Sequence, residues 1–190
     1  MTELEIRSLI ADILKDDRQK YAVLVNQYRH LVFTLCLKML KNQEDAEDVA
    51  QDTFVKAFQQ LKSFRGEAKF STWLFKIAYF SSINFLRKRN RLRTESLKTT
   101  ETNGEDHSIF MELAEEERKY YLDLALTYLT PVERGIISLY YFEENSMEEV
   151  AQITGQSLSN TKVIVHRTRK KLNEILNLLL KNKANILLEI

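Results

Sequence analysis

Lys162, His166, Arg167, Arg169, Lys170 and Lys171 fall within one ten-residue stretch, and no acid interrupts the chain from Gln156 to Leu172. Cations at that density suit phosphate contact, and Arg, Lys and His can also hydrogen-bond base edges. Between them, Thr161, Val165, Thr168 and Leu172 recur every three or four residues, the spacing of one helical face. The spacing therefore predicts a helix with an inner face and a basic remainder. Upstream, Ser146-Met147-Glu148-Glu149 has the form of a capping box that opens another helix. Val150, Ala151 and Ile153 supply its apolar face, and Gly155 is placed to end it in a left-handed conformation. Ser159 is expected to cap the second, basic helix. Two helices around a short turn, the second basic, read as a DNA-reading helix-turn-helix. An amphipathic hairpin with a solvated basic face would carry the same charges, so the rest of the chain must discriminate.

A second cationic region runs from Lys62 to Arg93, where nine Lys or Arg stand against one acid, Glu67. Phe64, Phe70, Trp73, Phe75, Tyr79, Phe80 and Phe85 are mixed into it. Unwound DNA stacks its bases on aromatic faces while cations hold the backbone, at about 1–3 kcal/mol per base. Phe75 and Phe85 read better as core. Phe64, Phe70 and Trp73 adjoin a glycine-containing loop and read equally well as core or as stacking platforms. Arg87-Lys88-Arg89 is either a solvated helix end or a continuation of the DNA-facing cations. The preceding segment is the opposite in sign, with Glu44, Asp45, Glu47, Asp48 and Asp52 outside an apolar face of Ala46, Val49, Ala50, Thr53, Phe54, Ala57 and Leu61. DNA would repel such a helix, whereas a partner protein could match it.

These segments sit in a chain of 190 residues with a net charge of +1, so any nucleic-acid surface depends on segregated charge. The single cysteine, Cys36, lies among leucines, excludes an internal disulfide framework and suits a reducing cytoplasm. The N-terminus lacks the basic flank and apolar run of a signal peptide, and no stretch is apolar enough to insert in a membrane. Four glycines and one proline leave little turn chemistry for a sheet, and helical periodicity dominates. The expected fold is all-α, with two helical domains joined by a flexible linker. A possible short N-terminal helix precedes helices over Tyr21 to Leu40, Gln43 to Leu61 with Asn42 as cap, and about Ser71 to Asn90. Thr99 to Asp106 is polar and without an apolar face, which is linker composition. The predicted division is 1–92, a linker over 93–108, and 109–190. Thr130-Pro131-Val132-Glu133 starts a further helix before the helix-turn-helix.

Catalysis finds no support. His30, His107 and His166 are scattered without metal-ligand spacing, there is no glycine-rich phosphate loop, and no nucleophile–base pair accompanies Cys36. No metal or cofactor is expected. A conventional two-domain transcription regulator, with a sensor before its helix-turn-helix, remains the alternative. Loop aromatics amid nine cations are not something a sensor needs.

Asp45-Ala46-Glu47-Asp48-Val49-Ala50-Gln51-Asp52-Thr53-Phe54, followed by Phe64-Arg65-Gly66 and Phe70-Ser71-Thr72-Trp73-Leu74, resembles region 2 of bacterial sigma factors of the extracytoplasmic-function group. The stretch closing in His166-Arg167-Thr168-Arg169-Lys170-Lys171-Leu172 resembles their region 4. The resemblance covers about Tyr21 to Leu176, with the two regions in the family's order and no region 3 between them. It implies an alternative-type sigma factor that directs core RNA polymerase to promoters, with Asp48, Gln51, Asp52 and Val55 docking on the clamp helices of the largest subunit. Phe64, Arg65, Lys69, Phe70, Trp73, Lys76 and Phe80, with Arg87 and Lys88, would serve the minus-ten element. Ser159, Asn160, Lys162, Val163, His166, Arg167 and Lys170 would serve the minus-thirty-five element. The flap of the second-largest subunit, as a region 4 contact, and an anti-sigma factor are implied as further partners. The chain departs from the family at Phe80, usually Asn, at Asn84, often Asp, at Ile164, often Arg, and at Ser159-Asn160-Thr161, frequently Gly-Thr-Val. The apolar segment from Leu176 to Ile190 passes the family's usual end and is expected to lengthen the last helix on its own domain, the alternative being an apolar surface for a regulator.

Overall fold

The structure is a computed structural model that describes residues 1–91 and 113–188, with side chains for 1–89 and 113–181. The expected linker, 93–108, lies outside the described residues. Among these, eight α-helices and two short 3-10 turns form the fold.

Local sequence explains most helix starts. The first helix, α1 (Glu3–Leu14), opens with a capping box in which the Thr2 hydroxyl accepts from the Glu5 amide and the Glu5 carboxylate accepts from the Thr2 amide. It buries Ile6, Ile10 and Ile13, which are spaced four and three residues apart. α2 (Tyr21–Leu40) buries Leu24, Tyr28, Val32, Leu35, Cys36, Met39 and Leu40, then ends at Lys41 with φ 57°. The Asn42 side chain accepts from the Asp45 amide at 2.8 Å and starts α3 (Gln43–Gln59). Such a cap is worth about 1 kcal/mol. A 3-10 turn at Leu61–Ser63 and a loop lead to α4 (Phe70–Arg91). Helices α2, α3 and α4 pack on one another, and α1 lies against α2 and the Leu61–Ser63 turn.

The second group begins with α5 (Glu115–Thr127), followed by α6 (Pro131–Tyr141). Thr130 and Glu133 form the anticipated capping box, with proline at the first turn. α7 (Met147–Thr154) has the Ser146–Glu149 capping box and ends at Gly155 with φ 68°. α8 (Leu158–Leu188) is one helix of 31 residues that packs on α5, α6 and α7. Its length agrees with the expected extension, and Leu176 and Leu180 are buried against its own domain.

Two expectations are corrected here. The cap of α8 is Ser157 rather than Ser159: the Ser157 hydroxyl accepts from the Asn160 amide at 3.2 Å, while its carbonyl accepts from the Thr161 amide. Phe70 is 1% exposed, enclosed by the rings of Tyr28, Phe64 and Trp73. It is a core side chain, and stacking on a base is not open to it in this arrangement.

The two groups dock directly. α6 lies on α2 and α4, and α7 lies on α4. Gly135 permits the first contact, because a Cβ there would sit 2.7 Å from a ring carbon of buried Tyr79 and 3.2 Å from the Met39 methyl. Around the seam, Lys38 places its ammonium 3.1 Å from the Phe142 ring centroid, and Lys41 donates to the Asp123 carbonyl at 3.3 Å. The apolar core runs continuously from α1 to Val165 of α8.

Candidate nucleic-acid and partner interfaces

Between α2 and α3 runs an open groove of about 1240 Å³. Its walls are apolar: Tyr21, Val25 and Phe33 from α2 face Phe54, Val55 and Phe58 from α3. Val55 is half exposed, and the Phe58 ring is also left partly open. The Tyr21 hydroxyl donates to the Phe54 carbonyl at 2.7 Å and its ring packs on Phe58, which fixes the groove floor. Burial pushes the Tyr21 hydroxyl up to about 12, so it stays a donor at any ordinary pH. Gln51 and Glu47 line the α3 side, and Asp48 and Asp52 are exposed on the same helix. Asp52 pairs with Lys56 at 2.6 Å, one turn on. Of the four residues anticipated for a partner protein, Gln51 and Val55 line the groove, while Asp48 and Asp52 do not. Arg18, Arg29 and His30 also line the groove, so its edge carries both signs, and an amphipathic helix has the shape to fill it.

A smaller hollow of about 370 Å³ opens under the loop between α3 and α4. Phe64, Arg65, Gly66, Trp73 and Lys76 line it, together with Thr72, whose buried hydroxyl has no hydrogen-bond partner in the protein. Phe64 and Trp73 are half-buried, with ring centroids 5.6 Å apart, and rest on buried Phe70. Arg65 and Lys76 are exposed. The hollow thus combines an aromatic wall with Arg65, Lys76 and the acid Glu67 around it, while the Thr72 hydroxyl is buried behind its lining. A planar base attached to a phosphate backbone would meet the rings and the two cations.

The remaining expected residues of this surface scatter along α4. Phe80 is 39% exposed and packs edge-on against Tyr79, with Gly155 of the helix-turn-helix turn in van der Waals reach. Arg87 and Lys88 are exposed but lie about 25 Å along the helix from Phe70, at 1.5 Å per residue. Arg89 is not a free cation: it holds Asp45 at 2.6 Å, closing α4 onto the first turn of α3.

α7 covers part of this same face. Lys69 is 2.8 Å from Glu149, and Gln152 lines the hollow. Burial acts to raise the Glu149 pKa, but the hydrogen bond from Lys69 and those at Ser146 outweigh it, so the carboxyl is held below its usual range. The hydrogen bond to Glu149 raises Lys69 in turn.

On α8, Thr161, Val165 and Thr168 are buried, as their spacing predicts. Ser159, Asn160, Lys162, Val163, His166, Arg167 and Lys170 are exposed, and among the described residues none of the cations in that set is ion-paired. Lys171 differs. It holds Glu133 at 3.1 Å and fastens α8 to α6, so it belongs to the scaffold. The outward face therefore presents a continuous cationic strip of groove-entering dimensions.

Sequence reasoning missed three contributors. The α2 wall of the groove, Tyr21 and Val25, carried no signal on its own, although exposed Val55 and Phe58 on an acidic helix pointed to something covering them. Thr72 was hidden among apolar neighbours. Gln152 could not be found at all, since it reaches the hollow only because the two domains dock. Among the described residues no cluster of His, Cys, Asp or Glu could hold a metal ion, and no helix is long and apolar enough to cross a membrane.

Comparison with known proteins gives the family and the fold. Residues 24–92 match the family described as sigma-70 region 2, and residues 125–174 match sigma-70 region 4. The chain is similar to the ECF RNA polymerase sigma factor SigW of Bacillus subtilis, with 30% identity over 186 residues covering 90% of this chain and 97% of the relative. It is also similar to RNA polymerase sigma factor YlaC of Bacillus subtilis, with 34% identity over 155 residues, 80% of this chain and 88% of that one. Among solved structures, RpoE from Bartonella quintana, crystallised with the anti-sigma factor NepR, has the same fold, with a TM-score of 0.65 and 23% identity over 84% of this chain and 98% of that one. CnrH, solved in complex with the cytosolic domain of CnrY, superposes with a TM-score of 0.64 and 22% identity, over 90% and 96% of the two chains.

Proposed function

The chain belongs to the sigma-70 family, in its extracytoplasmic-function group, as an alternative sigma factor that binds core RNA polymerase and directs promoter-specific initiation, and from that premise we propose how its surfaces divide the work. The groove between α2 and α3 receives the clamp helices of the polymerase's largest subunit. Gln51 and Val55 make direct contact, and Asp48 and Asp52 attract the flanking cations. The hollow under the loop takes a flipped base of the minus-ten element, stacked against Phe64 and Trp73, with Arg65 and Lys76 on the adjoining phosphates. Phe70 supports that wall from beneath. Lys69 and Phe80 join this surface when α7 leaves α4, and Arg87 and Lys88 hold backbone further along the strand. In α8, Lys162, Val163, His166 and Arg167 face the minus-thirty-five bases, while Ser159, Asn160 and Lys170 meet phosphate.

One observation carries this division. A groove with apolar walls and charges of both signs at its edge, and an aromatic hollow lined by Arg65, Lys76 and Glu67, are distinct features of a single small domain. The apolar walls of the first suit a partner helix, and the paired rings of the second suit an unstacked base. The flap of the second-largest subunit is assigned to the second domain, whose exposed Tyr128 and Val132 at the α5–α6 junction offer apolar contact. An anti-sigma factor is assigned as a further partner, on the precedent of the similarly folded protein bound to NepR. The site of action is the cytoplasm, with the polymerase, and no catalytic step is assigned to this chain.

Run-off transcription with purified core polymerase on a fragmented genomic library tests the reading. Transcripts that depend on this protein and share two spaced promoter elements are expected. Core polymerase that initiates identically with and without the protein would overturn it.

A further inference from the structure

The N-terminal helix lies outside the segment that matches region 2, which begins at residue 24, yet α1 holds the loop that forms the hollow at two points. Near the loop's middle, Arg7 donates through Nη2 to the Gly66 carbonyl at 2.5 Å. Gly66 has φ 72°, and a Cβ added to it would lie 3.1 Å from both Cζ and Nε of Arg7, so the guanidinium rests directly on the glycine. At the loop's end, a Glu3 carboxylate oxygen accepts from the Phe70 amide at 3.3 Å, which satisfies one of the free donors at the start of α4. Glu3 and Arg7 are one helical turn apart and therefore share a face. Three buried isoleucines anchor that face, with Ile6 between the two polar residues in sequence.

The loop carrying these contacts contains Arg65, Glu67, Ala68 and Lys69, and the left-handed turn at Gly66 is the short-range feature that shapes it. An unbraced loop of this kind would sample many shapes, and ordering it on DNA would cost part of the binding energy.

We propose that Glu3 and Arg7 are positioning residues for minus-ten recognition: α1 pre-shapes the loop so that the hollow already fits its base, while neither side chain touches DNA. The inference rests on the reading of the hollow as a base pocket. Arg7 acts on the middle of the loop and Glu3 on its junction with α4, so Arg7 governs the walls of the hollow more than Glu3 does. A planar guanidinium lying flat on a glycine cannot be reproduced by an ammonium, which retains the hydrogen bond but not the surface.

The test uses the full chain with core polymerase on a promoter selected by the native protein. Arg7→Ala, Arg7→Lys and Glu3→Gln are compared with native protein on templates carrying each of the four bases, or an abasic site, at successive minus-ten positions of the non-template strand. Native protein is expected to prefer one base at the flipped position. Arg7→Ala should lose on the order of fivefold of that preference, as expected for one net hydrogen bond, with Arg7→Lys in between. On the abasic template native and Arg7→Ala should transcribe alike, because no base remains for the loop to fit.

A defect of equal size on the abasic template, with an altered salt dependence, would assign Arg7 to phosphate and overturn the proposal. Full preference in both Arg7→Ala and Glu3→Gln would overturn it too. A fall in melting temperature accompanied by equal losses on every template would reduce α1 to a general stabiliser, and so also counts against it. Failure of the underlying pocket reading is seen separately, in native protein that discriminates at no minus-ten position.

Discussion

The Lys69 ammonium lies 2.8 Å from a carboxylate oxygen of Glu149, so the loop before α4 is tied to the first helix of the helix-turn-helix. The pair links the proposed minus-ten surface to the domain proposed to read the minus-thirty-five element, and Gln152 of the same helix lines the hollow. Lys69 is 61% exposed, and exposed pairs contribute about 0.2–1 kcal/mol. Glu149→Lys should therefore strengthen binding of a minus-ten single strand by roughly two- to fivefold, by weakening the tie and adding a cation. Lys69→Glu should weaken it. The emission of Trp73, the chain's one tryptophan, should shift to the red in Glu149→Lys as Gln152 withdraws. Unchanged affinity and emission would mean that α7 does not compete with the strand.

Gly135 tests domain docking without altering any DNA-facing residue. A methyl there would meet the Tyr79 ring at 2.7 Å, and neither ring nor helix backbone can yield cheaply. Overpacking of this kind costs about 1–3 kcal/mol. Gly135→Ala should expand the protein measurably in small-angle scattering while its helix content stays constant. An unchanged radius of gyration would contradict the docking contact.

Reversing charge on α3, with Asp48→Lys and Asp52→Lys together, should lower affinity for core polymerase because like charges at an interface cost several kcal/mol. Helicity should be retained, since both residues are exposed and the apolar face is untouched. A pull-down with native-level recovery of polymerase would remove these two residues from the docking surface and leave the groove to be tested through Val55.

Phe64 and Phe70 should separate wall from support. Phe70→Ala removes a fully buried ring and should cost about 3–5 kcal/mol of stability, with losses on every template. Phe64→Ala, at a half-buried ring, should reduce open complexes on duplex promoters more than on pre-melted ones. Permanganate footprinting beside a melting curve reads both effects. Equal defects on the two templates for Phe64→Ala would place it with Phe70 in the core.

Burial at the domain seam, with the Lys41 charge acting in the same direction, pushes the Lys38 ammonium down to about 8 against partial support from Glu143 and Asp123. Below that value Lys38 is charged in folded and unfolded chains alike, and the burial penalty is carried in full. Between about 8 and its ordinary 10.5 the folded chain binds fewer protons than the unfolded one, so this group's contribution to stability rises with pH. Urea unfolding across that interval should show a steeper upward trend for native protein than for Lys38→Met. Parallel curves would remove Lys38 from the balance.

Reading by α8 divides into two kinds of contact. If Arg167 meets a guanine edge, Arg167→Ala should cost about 1–3 kcal/mol and relax preference at one base pair. Lys170→Ala should weaken all sequences alike and lower the salt slope by about one unit. Binding of the full chain to promoter variants across a salt series distinguishes them. If both substitutions leave preference and slope intact, α8 is not the reader.

Much of this protein was legible from residue order alone, because the interactions that decide it span four residues or fewer. The capping boxes at Thr130 and Ser146, the Asn42 cap, the left-handed Gly155 and the inner face Thr161–Val165–Thr168 are all local, and each appears where its spacing puts it. The cap of α8 fell two residues before the expected Ser159, at Ser157, whose hydroxyl accepts from the Asn160 amide. What required tertiary structure is every assignment that depends on which faces meet. Phe70 and Trp73 sit one turn apart on one helix with similar chemistry. Tyr28, more than forty residues earlier, makes the first a core residue and leaves the second at the wall of the hollow. Gln152, Glu3 and Arg7 likewise gain their roles from contacts with distant segments. Periodicity identifies the side of a helix that is buried, but burial against a particular partner depends on shape and close approach, as at Gly135, and only the folded chain supplies those.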